Sequence, residues 1–331
     1  MILKYYESFH SSHFPPMDLG LPVATLPLSG WVWCVAVLPD GRFVTGGGDK
    51  RVKVWNKSTG GGWSVEATLA HDRAVVCVAV LPNGRLVTGG YDTTVRVWKE
   101  SAVDGWCVEA TLPFVSIVLC VAVFPDGRFA TGSNDGTLKI WNESALHVWS
   151  VEETLPGHPD MVRGVAVLPS VGGELRFVSG GWDNRVKVWK KSSEGGWNVE
   201  ATETLPSVGG VFCVAVLPDG RFVTGSYDDT VIVWKENSPG SGMWSVQATL
   251  RGHRSGVFCV AVLPDRRIVT GSEDNTVKVW KESRGGGSGL WSVEATLPGH
   301  KSGVWCVAVF PDGRFATGSD DKTVKIWGKK Q

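Results

Sequence analysis

The sequence predicts an all-β fold, a seven-bladed beta-propeller of four-stranded antiparallel blades, with the ring closed by an N-terminal strand that completes the last blade. Three observations predict it. The 331-residue chain carries seven near-copies of one passage, clearest as CVAVLPDGRFVTGSYDDTVIVWK from Cys213 to Lys235. A recurring Asp, at Asp49, Asp92, Asp135, Asp183, Asp228, Asp274 and Asp321, spaces the copies 43 to 48 residues apart, the length of one blade. The ends are out of phase with the repeat: the last copy reaches only its third strand at Trp327, while Val23–Leu26 (VATL) matches the fourth-strand wording EATL at Glu294–Leu297. Residues 22–27 are therefore expected to complete the blade begun by residues 303–328, removing two exposed sheet edges.

Each copy yields its strands in order. CVAVLP is an apolar first strand, PDGR a tight turn and RFVTGS the second strand; TVKVW is the third and WSVEATL the fourth. The turn chemistry is explicit in Pro39, Asp40 and Gly41, which supply a preset φ, a side-chain acceptor and a left-handed residue. Gly/Ser-rich linkers, such as Ser58–Gly62 and Arg284–Gly289, join the third and fourth strands. No segment has a helical period. The expected organisation is an N-terminal tail over residues 1–20 and one propeller domain over residues 21–331.

Hydrophobic residues at 43%, charged residues at 20% and 42 glycines fit a soluble β protein with many tight turns. With 33 basic and 33 acidic residues and no Lys/Arg block, the chain lacks the electrostatic footprint of a nucleic-acid binder. No apolar run approaches the roughly 18 to 20 residues that span a bilayer, and the first 20 residues lack a signal-peptide core. A cytoplasmic or nuclear location, without membrane partners, is the expectation.

The cysteines agree with it. Cys34, Cys77, Cys120, Cys213, Cys259 and Cys306 share one repeat position, where the fourth copy has Gly164. Equivalent positions of neighbouring blades are a sheet-packing distance of about 10 Å apart, beyond the roughly 7 Å Cα limit for a disulfide. They read as small buried apolar residues and not as metal ligands.

With Gly-His, a turn Asp and a strand Trp recurring, the chain resembles the WD-repeat (WD40) propeller family over all but about its first 20 residues. The resemblance implies a buried network of His, Ser or Thr, Asp and Trp in each blade. By position these are His158, Ser179, Asp183 and Trp189 in blade four, His253, Thr270, Asp274 and Trp280 in blade six, and His300, Thr317, Asp321 and Trp327 in blade seven. His71 joins this register in blade two if the preceding loop is one residue shorter; blades one, three and five have no such His. A His–Asp–Ser set could be read as a hydrolase site. Its repetition across blades instead reads as the satisfaction of buried polar groups, which cost roughly 1 to 3 kcal/mol each when left unpaired. No nucleophile elbow, phosphate loop or cofactor motif stands apart from the repeat, so neither an enzyme nor a cofactor is expected.

Function is then sought where the copies disagree. Of 17 Trp, seven lie on third strands and six open fourth strands, leaving Trp31, Trp33, Trp182 and Trp305. In the family that the chain resembles, these positions face the top of the central channel. The residue before the Cys position runs Trp33, Val76, Leu119, Arg163, Phe212, Phe258, Trp305; the residue before the turn Asp runs Gly48, Tyr91, Asn134, Trp182, Tyr227, Glu273, Asp320. The rim is aromatic, with its acids together in blades six and seven. Trp31, Trp33, Tyr91, Arg163, Trp182, Phe212, Tyr227, Phe258, Glu273, Trp305 and Asp320 form the candidate partner-binding set. Aromatic anchors at interfaces are worth about 2 to 4 kcal/mol, and ring faces beside Glu273 and Asp320 would suit a basic side chain.

The function expected is a non-catalytic interaction scaffold or adaptor: a monomeric propeller within a larger complex, taking a peptide or partner loop on its top face. Replacing Phe258 and Trp305 with Ala is expected to abolish binding and spare the fold. Two alternatives stand beside it. The wording LPDGRFVTGSYDDTVIVW is similar to that of the ubiquitin-binding propeller of the phospholipase-A2-activating protein family, and Trp63 and Trp197 beside Gly-rich loops suggest a carbohydrate-binding propeller.

Overall fold

The computed structural model describes residues 20–206, 209–283 and 289–328. The expected tail and most of the Arg284–Gly289 linker lie outside the described residues. The rest forms seven four-stranded antiparallel sheets. Blade one comprises Val32–Val37, Phe43–Gly47, Arg51–Lys57 and Trp63–Ala70, hydrogen-bonded in that order. First strands of consecutive blades pack on one another around the channel, including that of blade seven on that of blade one.

Burial follows from this nesting. Every residue of the second strand Phe43–Gly47 is buried, because both its faces meet neighbouring sheets, whereas the outer strand Trp63–Ala70 is mostly exposed. Phe43 pairs with Trp55 across the ladder, and their rings stack 5.7 Å apart. Trp63 meets Phe43 edge-on at 4.9 Å and Phe310 of blade seven at 5.8 Å, so the Trp that opens a fourth strand helps to seal one blade against the next.

The N-terminal strand Ala24–Pro27 pairs antiparallel with Thr323–Trp327 and completes blade seven. Val23 N donates to Ile326 O at 2.7 Å and Leu28 N to Lys322 O at 2.8 Å, extending the ladder at both ends. The first strand of the chain thus pairs with its last, so no blade is left with three strands.

Close approach between blades explains the glycine that ends each Thr-Gly or Ser-Gly pair. A Cβ on Gly318 of blade seven would lie 2.5 Å from Val32 Cγ1 of blade one and 2.6 Å from Cys306 Sγ. The cysteines fill the same seam: Cys306 Sγ reaches Val32 O at 3.8 Å and Cys120 Sγ reaches Val162 O at 3.5 Å, each in the next blade. Burial pushes the Cys120 and Cys213 thiols up to about 12, which leaves them protonated packing groups.

Candidate binding site on the top face

The top face carries the turns between second and third strands and the loops from each fourth strand to the next blade. Every first strand enters from it through a β-bulge. In blade one the ladder steps from Val32↔Gly47 to Cys34↔Gly46, leaving Trp33 as the extra residue. The same shift falls at Leu119, Arg163, Phe212, Phe258 and Trp305. A bulge re-aims its side chain, which is why the residue before the Cys position faces the channel.

These residues enclose a cavity of about 290 Å³ lined by Trp31, Trp33, Val76, Tyr91, Leu119, Arg163, Phe212, Phe258, Trp305 and Asp320. Eight of the eleven residues expected to bind a partner lie in that wall. Trp182, Tyr227 and Glu273 do not. Trp182 packs edge-on against Phe212 at 5.0 Å and Tyr227 lies 5.9 Å from the same ring, so both buttress the wall from outside. Glu273 is exposed on the outer rim, where Ser255 Oγ donates to it at 2.6 Å.

The aromatic wall has two parts. Phe258 and Trp305 stack 4.2 Å apart, and Phe212 touches Phe258 at 4.7 Å. On the other side Trp31 meets Trp33 at 5.6 Å, and Trp33 meets Tyr91 at 6.0 Å. Trp31 and Tyr91 are about half exposed, whereas Phe212 and Phe258 are each 8% exposed. Phe258 and Trp305 thus contribute to wall packing as well as to the cavity lining, and the more exposed rings of the wall are Trp31 and Tyr91.

Two charged groups face the cavity. Asp320 Oδ1 accepts from Trp33 Nε1 at 3.1 Å. Arg163 lays its guanidinium 4.9 Å from the Phe212 ring centre. The expected cradle for an incoming basic side chain is thus partly filled from within: Phe212 already carries a cation, and the Phe258 and Trp305 rings close on each other.

The His networks are structural. In blade four, Trp189 Nε1 donates to Ser179 Oγ at 2.9 Å, His158 Nε2 lies 2.9 Å from that hydroxyl, and its Nδ1 lies 2.9 Å from Asp183. His253 and His300 repeat this with Thr270 and Asp274, and with Thr317 and Asp321, at 2.7 to 2.9 Å. The Trp280 and Trp327 indoles each donate to the Thr hydroxyl at 2.8 Å. One neutral tautomer satisfies every member: Trp N–H to hydroxyl, hydroxyl to Nε2, and Nδ1–H to carboxylate. His71 builds a fourth network, with Thr88 and Asp92 each at 2.9 Å. The shorter loop before it was the signal.

Blades one and three, which lack the His, hold their Asp otherwise. Lys53 and Ser29 bind Asp49, while Phe114 occupies the His position of blade three and Thr137 binds Asp135.

A second ring, on the bottom face, was not read from sequence. The turn Arg of blades one, two, four and five reaches a Glu of the next blade: Arg42–Glu100, Arg85–Glu143, Arg176–Glu236 and Arg221–Glu282. Each guanidinium also covers the Trp that opens the next fourth strand, Arg85 lying 5.3 Å from the Trp149 ring. In blade four, Lys191 takes the acceptor position and pairs back to Glu152 of blade three. Among the described residues, Arg314 pairs only with Asp312 of its own turn. The signal lay in Glu recurring two residues after the strand Trp.

A family model for the WD domain, G-beta repeat, matches residues 20–56, 63–99, 111–142, 149–190, 202–235, 244–281 and 291–328. The chain belongs to the WD-repeat family. Each matched segment takes in the fourth strand of one blade and the first three strands of the next, and residues 20–56 accordingly begin with the strand that closes blade seven. The WD-repeat propeller is similar in fold to the WD40 beta propeller domain of Doa1, with a TM-score of 0.80 over 96% of this chain and 98% of that one, at 24% identity. Comparison with curated protein sequences found no match. No helix among the described residues is long and apolar enough to cross a membrane.

Proposed function

We propose that this WD-repeat propeller is a non-catalytic protein-interaction module that takes an extended peptide or partner loop at the mouth of its channel. One observation carries the reading: a cavity of about 290 Å³ opens on the top face with two half-exposed aromatic anchors, Trp31 and Tyr91, in contact with a further ring, Trp33. That volume is at the small end of ligand pockets, roughly 300–1,000 Å³, so it suits a side chain and its flanking backbone. Large, stiff aromatic rings lose little entropy on contact, which makes them the residues that anchor such chains.

The packing weighs against the carbohydrate alternative: Trp197 is buried against Phe177 at 4.9 Å, and the half-buried Trp63 packs on Phe43 and Phe310. The test is capture of partners by the wild type beside Trp31→Ala/Tyr91→Ala, with free ubiquitin titrated separately. Partners lost only from the double variant support the top face; identical partner sets overturn it, and saturable ubiquitin binding unaffected by the variant favours the ubiquitin alternative.

A further inference from the structure

The ten residues lining the cavity include one cation that no described residue neutralises. Among the described residues, Arg163 forms no ion pair, no acceptor takes a hydrogen bond from its guanidinium, and its Nε is buried without a partner. The other cavity charge, Asp320, is engaged by Trp33. The contrast with the turn arginines is sharp: Arg42, Arg85, Arg176 and Arg221 each hold at least two acidic or amide oxygens. A second donor in the same wall, Trp305 Nε1, is also buried without an acceptor.

We propose that the top cavity recognises an acidic side chain of a peptide, a Glu or Asp carboxylate seated on Arg163 with its flanking residues against Trp31, Trp33 and Tyr91. The inference rests on the peptide-binding reading and specifies its chemistry. A carboxylate supplies the acceptor that Arg163 lacks, and a planar guanidinium packed on the Phe212 ring is suited to charge-assisted hydrogen bonds. Blade four is where the repeat was altered to admit it: Arg163 is the one charged residue of the bulge series, and beside it Gly164 replaces the cysteine. A Cβ on Gly164 would meet Val214 Cγ2 at 2.8 Å, so the seam between blades four and five is closed by backbone approach. Burial lowers the Arg163 pKa, and the opposing influences come from Tyr91 and Cys120, neither of them a carboxylate.

The test uses the full chain immobilised and pools of short synthetic peptides, capped at both ends, with randomised flanks and a central Glu, Gln or phosphoserine. The expected result is enrichment of the Glu pool over the Gln pool by about tenfold, the scale of one charge-assisted pair, and loss of that preference in Arg163→Gln. Equal capture of Glu and Gln pools, weakened by Trp31→Ala but not by Arg163→Gln, overturns the carboxylate assignment and leaves the peptide reading standing. Preference for phosphoserine overturns it in favour of a phosphate. Enrichment of no pool overturns both. Independently of any peptide, Arg163→Met removes an unpaired buried charge and is expected to raise the thermal midpoint by roughly 2–4 °C; a lower midpoint would show that the cation holds the wall together and would overturn the proposal.

Discussion

Trp33 Nε1 donates to Asp320 Oδ1 at 3.1 Å, a hydrogen bond between the first strand of blade one and the second-to-third-strand turn of blade seven, 287 residues apart. It crosses the seam where the ring closes, beside the cavity that forms the candidate site. Asp320→Ala removes the acceptor and is expected to cost about 0.5–1.5 kcal/mol, whereas Asp320→Asn retains a carbonyl oxygen and most of that stability. Urea midpoints of the two variants check this, and equal losses would contradict it.

The bottom ring predicts an asymmetry among chemically identical residues. Arg85 pairs with Glu109 and Glu143 and covers Trp149, tying blade two to blade three; among the described residues Arg314 pairs only with Asp312 in its own turn. Arg85→Ala should cost about 1–2 kcal/mol, and Arg314→Ala no more than about 0.5 kcal/mol. Raising the salt concentration should narrow the gap, because these pairs are partly exposed. Equal losses at low salt would show that the interblade pairs carry no weight.

Gly318→Ala should destabilise by about 1–3 kcal/mol through overpacking, since its Cβ would meet Val32 of the next blade and Cys306. Gly196→Ala is the control, with no atom within 4 Å of an added Cβ and no positive φ. Thermal melts of the two variants should separate; similar midpoints would mean that the blades can shift apart at no cost.

Acidification should destabilise the propeller in two windows. Burial pushes the His71 pKa down, and the bond to Asp92 only partly offsets it, so the folded chain resists a proton that the unfolded chain accepts. That contribution is present above the unfolded value of about 6.5 and is lost as pH falls from there through the lower folded pKa. Burial would raise Asp274 and Asp321, but hydrogen bonds from His253 and Thr276, and from His300 and Thr323, outweigh it and hold both well below the usual carboxylate range. Their stabilisation is present above about pH 4 and is lost as pH falls further. His71→Phe, which places in blade two the residue type that Phe114 supplies in blade three, should flatten the stability profile just below about pH 6.5. An unchanged slope there would assign the first window to another group.

Much of this protein was written in its sequence because the repeat states each structural demand seven times. Blade number, strand order and the pairing of residues 24–27 with the last blade follow from period and phase alone. Hydrogen-bonding partners such as His253, Thr270 and Trp280 were legible because buried polar groups must be paired and the spacing recurs. His71 was only half legible, since a one-residue loop difference matters little in space but shifts the residue out of the repeat register.

The tertiary structure decided everything that depends on contacts between blades. Sequence placed Trp182, Tyr227 and Glu273 beside Arg163 and Asp320 in one candidate set; only the packed geometry shows that Tyr91 and Asp320 line the cavity while Trp182, Tyr227 and Glu273, at the same repeat position, buttress it or stand outside. The interblade pairs of Arg85 with Glu143 and Arg42 with Glu100 join residues 58 apart, a separation that becomes a contact only when consecutive sheets nest. Composition counts charges without pairing them, so the sequence by itself determined a neutral seven-bladed ring. Which of its cations is left facing a cavity without a partner was decided by how that ring closes.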